Sequence, residues 1–438
     1  MATVVSPLVE IVMPARLGRP FRWLLSSSAI MNLGDGVVVA AGPLLVASLS
    51  RDPFIVSLAF VADFLPTLVF GAFAGVVTDR VDRRRMVIVV NLARAVVLVV
   101  LTATILTGSV SIAIVLATLL ALATAETFGD LAGSALLPRL VPREGIGLAN
   151  ARLQGTYLLP NQLIGPPIGA FLFAAGAAIP FVADAVCYVF GAILISRIAA
   201  SLAGRAIRTG SGEAGTTDDL DDADAPGGMA GVRHELVEGF RWLMAHPPMR
   251  TLVLTILAFN VTFGAAWSVL VLYAGDRLGM DSVGFGLLTT ASAIGGIVGT
   301  VSYGALERRF SLADIMRVGL LIETGTHLTL ALTRSPAVGL IVMAIFGAHA
   351  FIWGTTASTI RQRAVPDELM GRVSGIYRVA VFGGIVAGTP IGGLLARQFG
   401  ITAPFWFGFV GSAILVTILW REFRHIAHDN ETRPEVAG

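Results

Sequence analysis

Apolar runs of about 20 residues, broken by short polar interruptions, make up most of this chain. They fall at Trp23–Leu49, Phe54–Val77, Met86–Thr107, Val110–Leu137, Leu148–Ala175 and Ile179–Ala199. A second series follows at Arg250–Tyr273, Val283–Leu306, Leu312–Thr333, Ala337–Ile360, Val373–Ala396 and Thr402–Trp420. A hydrocarbon layer about 30 Å thick takes about 20 residues at 1.5 Å each, so every run predicts one spanning helix. Between the two series lies the polar stretch Ser201–Pro248, whose Asp-rich run Thr216–Pro226 carries too little apolar surface to fold alone. The end of that stretch, from His234 to Met244, returns to helical spacing and predicts a helix on the membrane surface. The expected layout is a leader over 1–22, a six-helix bundle over 23–200, a linker over 201–248, a second bundle over 249–421 and a tail over 422–438. The class is an all-α polytopic membrane protein with twelve spanning helices.

Composition agrees: 55% of residues are hydrophobic and 14% charged, against about 25% charged in soluble domains. The net charge of +2 gives no basic face for nucleic acid. Every basic residue is Arg, so a phosphate-binding G-K-[ST] loop is excluded. Lone Cys187 implies no disulfide, and the six His lack metal-ligand spacing, so neither metal nor cofactor is expected. No nucleophile–base pair or large soluble domain suggests an enzyme or a receptor. No removable signal peptide is expected at the N-terminus.

The charges also set an orientation. The leader, Asp79–Arg85, Arg139–Glu144, the linker, Glu307–Arg309, Arg361–Arg372 and the tail all fall on one side. Arg51-Asp52, Thr107–Ser109, Ala174–Ala178, Asp276–Asp281, Arg334 and Arg397 fall on the other. Short cytoplasmic loops collect Arg, which predicts both termini in the cytoplasm of a bacterial inner membrane.

The two series are copies of one another. Val141-Pro142-x-Glu144-x-x-Gly147 recurs as Val365-Pro366-x-Glu368-x-x-Gly371, a shift of 224. The same shift pairs Arg139 with Arg363, Pro166 with Pro390, Gly169 with Gly393, Pro180-Phe181 with Pro404-Phe405, Gly75 with Gly299 and Arg84-Arg85 with Arg308-Arg309. Two parallel six-helix repeats follow.

Between the second and third spans runs Gly75-Val-Val-Thr-Asp79-Arg80-Val-Asp82-Arg83-Arg84-Arg85. Gly71 and Gly75, at small-xxx-small spacing, predict a close helix approach there. The pattern G-x-x-x-D-R-x-x-R-R-R resembles the signature loop of major facilitator superfamily transporters. Asp82, where that loop usually has Gly, is similar to its drug- and siderophore-exporter branch. The resemblance covers Trp23 to Trp420. It implies two halves rocking about a midplane site, with Gly75, Asp79, Arg80, Arg83 and Arg84 latching one state. Gly165-Pro166-Pro167-Ile168-Gly169-Ala170 resembles the antiporter motif of the fifth helix, with Ala170 for the final Gly, and implies a hinge at Gly165, Pro166 and Gly169. The implied activity is secondary active efflux, proton-coupled, of amphipathic drugs or other small molecules. The partners are the substrate, protons and membrane lipid, and the expected state is a monomer. A dedicated siderophore exporter and an uptake permease are the alternatives.

In that fold the first, fourth, seventh and tenth helices line the cavity, which sorts the intramembrane polar residues. Asp35, flanked by Gly34 and Gly36, lies about 20 Å deep at 1.5 Å per residue. A carboxylate there costs several kcal/mol, so it is paired, neutral or wet. It is the first candidate for proton coupling, the alternative being a structural acid. The glycines loosen the helix or let a ligand come close. Asp63 reaches similar depth beside Pro66 and could share a network with it. Glu126 and Asp130 sit one turn apart on the fourth span, and Arg94 on the third is expected to pair with Asp130, mostly as architecture, the alternative being a part of the gate that latches one state. Asn260 with Trp267, and His349 with Trp353, are expected at cavity depth, where an aromatic beside a titratable group suits a cationic substrate, the alternative being a packed histidine with an interfacial tryptophan. Glu323 and His327 form a similar pair on a peripheral helix.

Overall fold

The computed structural model describes residues 14–208, 229–420 and 422, and among them every regular element is helical. In chain order these are α1 (Gly18–Leu49), α2 (Pro53–Arg80), α3 (Arg83–Leu106), α4 (Ile112–Leu140), α5 (Arg143–Ala175) and α6 (Ile179–Arg208). They continue with α7 (Met229–Ala245), α8 (Pro247–Trp267), α9 (Leu270–Asp276), α10 (Ser282–Glu307), α11 (Leu312–Leu332), α12 (Pro336–Ala364), α13 (Asp367–Phe399) and α14 (Ala403–Leu419). Among the described residues eleven helical stretches are long and apolar enough to cross a membrane; α14, at 17 residues, is at the short end of the spanning range and makes the twelfth.

The turns are written in short polar residues. Asp52, Asp82, Ser111, Asp281, Ser311 and Ser335 each accept a bond from a backbone N–H in the first turn of α2, α3, α4, α10, α11 and α12. Each satisfies a donor that would otherwise be orphaned where the chain re-enters an apolar layer. Asp82 therefore has a local task beyond its resemblance: its Oδ1 caps Arg85 N at 2.8 Å.

Within the first set α6 packs on α1 and α3, and α2 and α3 pack on α4; within the second, α10 packs on α12, α13 on α8 and α14 on α11. The sets meet along α2–α13 and α5–α10. Buried side chains explain where they hold together. One continuous core joins Ala40–Ala47, Val56 and Leu98 of the first set to Leu270–Ala274, Phe285, Leu330 and Phe405 of the second. This core lies at the end opposite the arginine-rich loops. At the arginine-rich end the cores separate, one around Phe21, Leu136 and Ile198, the other around Leu252, Trp353 and Ile360. Arg51–Asp276 at 2.6 Å and Arg397–Asp52 at 3.5 Å also bridge the sets at the closed end. Arg51 is 72% exposed, and pairs so wet contribute about 0–1 kcal/mol. Apolar packing makes the seal.

Four expectations are corrected. The helical chain begins before Trp23: Gly18, at φ +84°, turns the Ala15–Leu17 turn into α1, and Leu17 and Phe21 are buried. The seventh span is broken, ending at Trp267 and restarting at Leu270, with the Ser268 hydroxyl donating to Ala265 O and Thr389 O in place of a continuous ladder. The middle of α5, Tyr157–Ile164, is a π-helix around Pro160. The widened turn accommodates a residue with no N–H to give. Lastly, α7 does not merely lie on a surface: Leu243 is buried in the second core, and Arg372 of α13 pairs with Glu238 at 2.6 Å. The Asp-rich run Thr216–Pro226 and the leader up to Met13 lie outside the described residues.

Candidate functional site

A cavity of about 1120 Å³ lies between the two sets. It extends from the shared core to Gly71, Ser134, Gln154 and Arg378 near the arginine-rich end. Its two walls differ. The first set contributes Asp35, Asp63, Glu126 and Asp130, with Arg94 and Tyr188 behind them; the second contributes Phe259, Asn260, Phe263, Trp267, Phe346 and Phe382. Phe263 stacks on Phe346 at 6.0 Å between centroids, and Trp267 lies 4.3 Å from Phe346. Phe60 and Phe64 of α2 complete this surface across the gap, 6.3 Å from Phe263 and 6.1 Å from Phe382.

The charged wall is centred on Arg94, whose side chain is 5% exposed. Its Nη2 donates to Asp35 Oδ1 at 2.8 Å and to Glu126 Oε2 at 3.3 Å. Its guanidinium lies 4.2 Å from the Tyr188 ring centroid, and the Tyr188 hydroxyl donates to the same Asp35 oxygen. Four helices (α1, α3, α4 and α6) thus converge on one cation. Arg94 does not take Asp130, contrary to expectation. Asp130 is exposed on the cavity wall, where solvent can reach it, whereas Asp35, only 13% exposed, gains more from a buried counter-ion. Asp63 is likewise exposed to the cavity.

The glycines beside Asp35 serve helix contact, not ligand approach. A Cβ on Gly36 would meet Asn161 O at 2.4 Å, and Cβ atoms on Gly165 and Gly169 would meet the backbone of Gly36 and Val37 at 2.6 and 2.1 Å. The expected hinge residues Gly165 and Gly169 are therefore the seam that sets the height of Asp35. Beside them Pro166 lines the cavity, and Gly286 of α10 meets Ala170. By contrast, a Cβ on Gly71 or Gly75 would meet nothing within 4 Å. The close approach expected there is missing because the cores at that end are apart.

Of the signature loop, Arg83 Nη1 donates to Ala135 O at 3.2 Å, and Arg84 donates to Ile195 O and Ser196 O at 3.3 and 2.6 Å. Both tie α3 to neighbours in its own set. Arg80 is exposed, and the Asp79 side chain lies outside the described residues.

His349 and Trp353 are not in the cavity. Phe346 and Ala350 take that face of α12, and the two are buried against Gly319 of α11. There His349 Nε2 lies 3.7 Å from Glu323 Oε2, while His327 Nε2 lies 2.9 Å from Glu323 Oε1, all three residues being buried. Glu323 bonds His327 one turn along α11, and its other oxygen faces His349 of α12 beyond hydrogen-bond distance. Asn260 and Trp267 do reach the cavity. Asp184 of α6, a helix outside the four expected to line the cavity, lies beside the charged wall with no exposed surface. An acid in an apolar run was the available signal.

The description Major Facilitator Superfamily matches residues 24–389. The chain is 28% identical over 397 residues to the multidrug efflux pump Tap of Mycolicibacterium fortuitum, covering 88% of this chain and 91% of that one. It is 26% identical over 210 residues to the enterobactin exporter EntS of Escherichia coli strain K12, which is 46% of this chain and 48% of that one. In fold it is similar to a bacterial homologue of the iron transporter ferroportin in an inward-facing state, with TM-score 0.70, 16% identity and coverage of 92% and 98%. The nucleoside transporter NupG aligns with TM-score 0.65 and 11% identity over 93% and 99%. Twelve spanning helices in two packed sets, a cavity between them and a family match across most of its length make this chain a member of the Major Facilitator Superfamily, a membrane transporter and not an enzyme.

Proposed function

We propose that this transporter exports amphipathic cations in exchange for protons by alternating access. The observation that carries this is the two-walled cavity, acids on one side and aromatic rings on the other, with the nearly buried Asp35 bound to Arg94. A protonated amine or delocalised cation would face the acids while its planar body lies on Phe263, Trp267 and Phe346. Because the acids also bind protons, cation and proton compete for one wall, and competition is what exchange requires. Similarity to Tap over most of both chains supports export. Similarity to EntS covers half of each chain, and the acid wall disfavours the anionic groups of a catecholate siderophore. The cavity is complete within one chain, which supports a working monomer.

The loop charges support a cytoplasmic arginine-rich end, so the cavity here faces the cytoplasm and the shared core closes the outer side. A reporter active only in the cytoplasm is expected to work after Arg85, within Ser211–Ala225 or after Gly438, and to be silent near Ser109 or Ala177. Activity at Ser109 would overturn the twelve-span topology.

The functional test is transport in liposomes holding the purified protein. Tetraphenylphosphonium is expected to move against its gradient when a pH gradient is imposed, to stop when a protonophore collapses it, and to outcompete a catecholate. Movement indifferent to the protonophore would refute proton coupling.

A further inference from the structure

We propose that Asp184 carries a proton for this cycle, exchanging it with Asp35 across the seam between α6 and α1; this rests on the proton-coupled reading above. Asp184 has no exposed surface, and neither carboxylate oxygen has a hydrogen-bond partner. It precedes Tyr188 by one turn, on the same face of α6. On the other side it is laid against α1 at the residue just before Asp35: a Cβ on Gly34 would fall 2.1 Å from Asp184 Oδ1. A larger residue at 34 would have to displace that carboxyl group.

Charge counting shows why a proton belongs here. Arg94 is the one cation in the cluster, and it already bonds two acids, Asp35 and Glu126. Asp184 is a third, and an ionised carboxylate with no donor, buried, is far costlier than a neutral one. The groups facing Asp184 are few. From α1 there is Asp35, from α3 Arg94, and from its own helix Cys187 and Tyr188, while the Gly165–Ala175 segment of α5 offers no titratable side chain.

The cluster also holds a buried donor without an acceptor, which Asp184 reaches only by turning, since it forms no ion pair with Arg94 within 4.0 Å in this state. Arg94 Nε is buried with no acceptor, while both Asp184 oxygens are buried with no donor. In the exchange, the Asp184 carboxylic O–H gives its proton to the Asp35 carboxylate; Asp35 becomes neutral and releases Arg94 Nη2. Asp184, now anionic, accepts from Arg94 Nε. One proton moves, the total charge is unchanged, and Arg94 is never without an anionic partner. A neutral Asp35 then faces the cavity and can lose its proton to water or to an arriving cation.

Infrared difference spectroscopy of the purified full-length protein tests this directly. The parent is expected to show the C=O stretch of a buried, protonated carboxylic acid, absent in Asp184→Asn and retained in Asp63→Asn. In liposomes, Asp184→Asn is expected to move fewer protons per tetraphenylphosphonium than the parent while binding that cation equally well. A band unchanged in Asp184→Asn, or as many protons moved, overturns the proposal alone. A parent that moves the cation with no protons overturns the coupled reading and this role together. Should Asp184→Asn fail to accumulate, the parent decides by itself, since absence of the band overturns the proposal.

Discussion

Asp35→Asn is expected to abolish uphill transport while leaving a folded protein that still binds substrate. The amide keeps the oxygen that accepts from Arg94 Nη2 and from Tyr188, so the shape and both bonds of the site survive. Arg94 is not left uncompensated, because Glu126 remains 3.3 Å away. What disappears is the ability to exchange a proton. A gradient of one pH unit supplies about 1.4 kcal/mol per proton exchanged, which is about tenfold accumulation. The variant should lose at least that factor and equilibrate its substrate. Asp35→Glu, one methylene longer, should restore part of the pumping with an altered pH profile. The measurement is the steady-state tetraphenylphosphonium ratio across liposomes under an imposed pH gradient. If Asp35→Asn pumps as well as the parent, coupling belongs to Glu126 or Asp63, the other acids of the wall.

The class of this protein was legible because the bilayer imposes a length on every span and a charge rule on every loop. The shift of 224 between the repeats added the two-set arrangement. Orientation about each helix axis was not legible. In a soluble helix the apolar stripe marks the buried face, but here lipid-facing and protein-facing sides are both apolar, so periodicity gives depth without azimuth. Depth, together with the helices that the resemblance implies line the cavity, put Asp35, Asp63 and Glu126 forward, and all three lie on its wall. The same count assigned His349 to the cavity, where Phe346 holds the face instead, and paired Arg94 with Asp130 one turn from Glu126. It also passed over Asp184. The break at Ser268 depends on a hydrogen bond between spans that no pattern in the chain records, and Pro160 marks a disturbed helix without saying that the turn widens into a π-helix. The glycines divide similarly: small-xxx-small spacing marked Gly71 and Gly75 as contact sites, yet in this state a Cβ on either would meet nothing within 4 Å, while Gly36, Gly165 and Gly169 are among the glycines in tight backbone contact.

That contrast makes the second large effect a matter of packing. Gly169→Ala is expected to lower abundance in the membrane and the unfolding temperature of the purified protein. Its Cβ would sit 2.1 Å from Val37 O, with two further backbone atoms of α1 within 2.9 Å. No side chain can rotate out of the way, so α1 or α5 must move as a body. Overpacking of this kind costs about 1–3 kcal/mol. The displaced helix also carries Asp35, two residues before Val37, so the Arg94–Asp35 bond should loosen and transport should fall with stability. Gly75→Leu should behave in the opposite sense. Its side chain enters open space in the present state, so abundance and unfolding temperature should match the parent. When the arginine-rich ends close, the added bulk should block the approach of a neighbouring helix, and transport should fall sharply. Measuring both quantities for both variants separates the two kinds of glycine. A stable, active Gly169→Ala would show that α1 and α5 are not in close contact, and a freely pumping Gly75→Leu would show that closure does not use that face of α2.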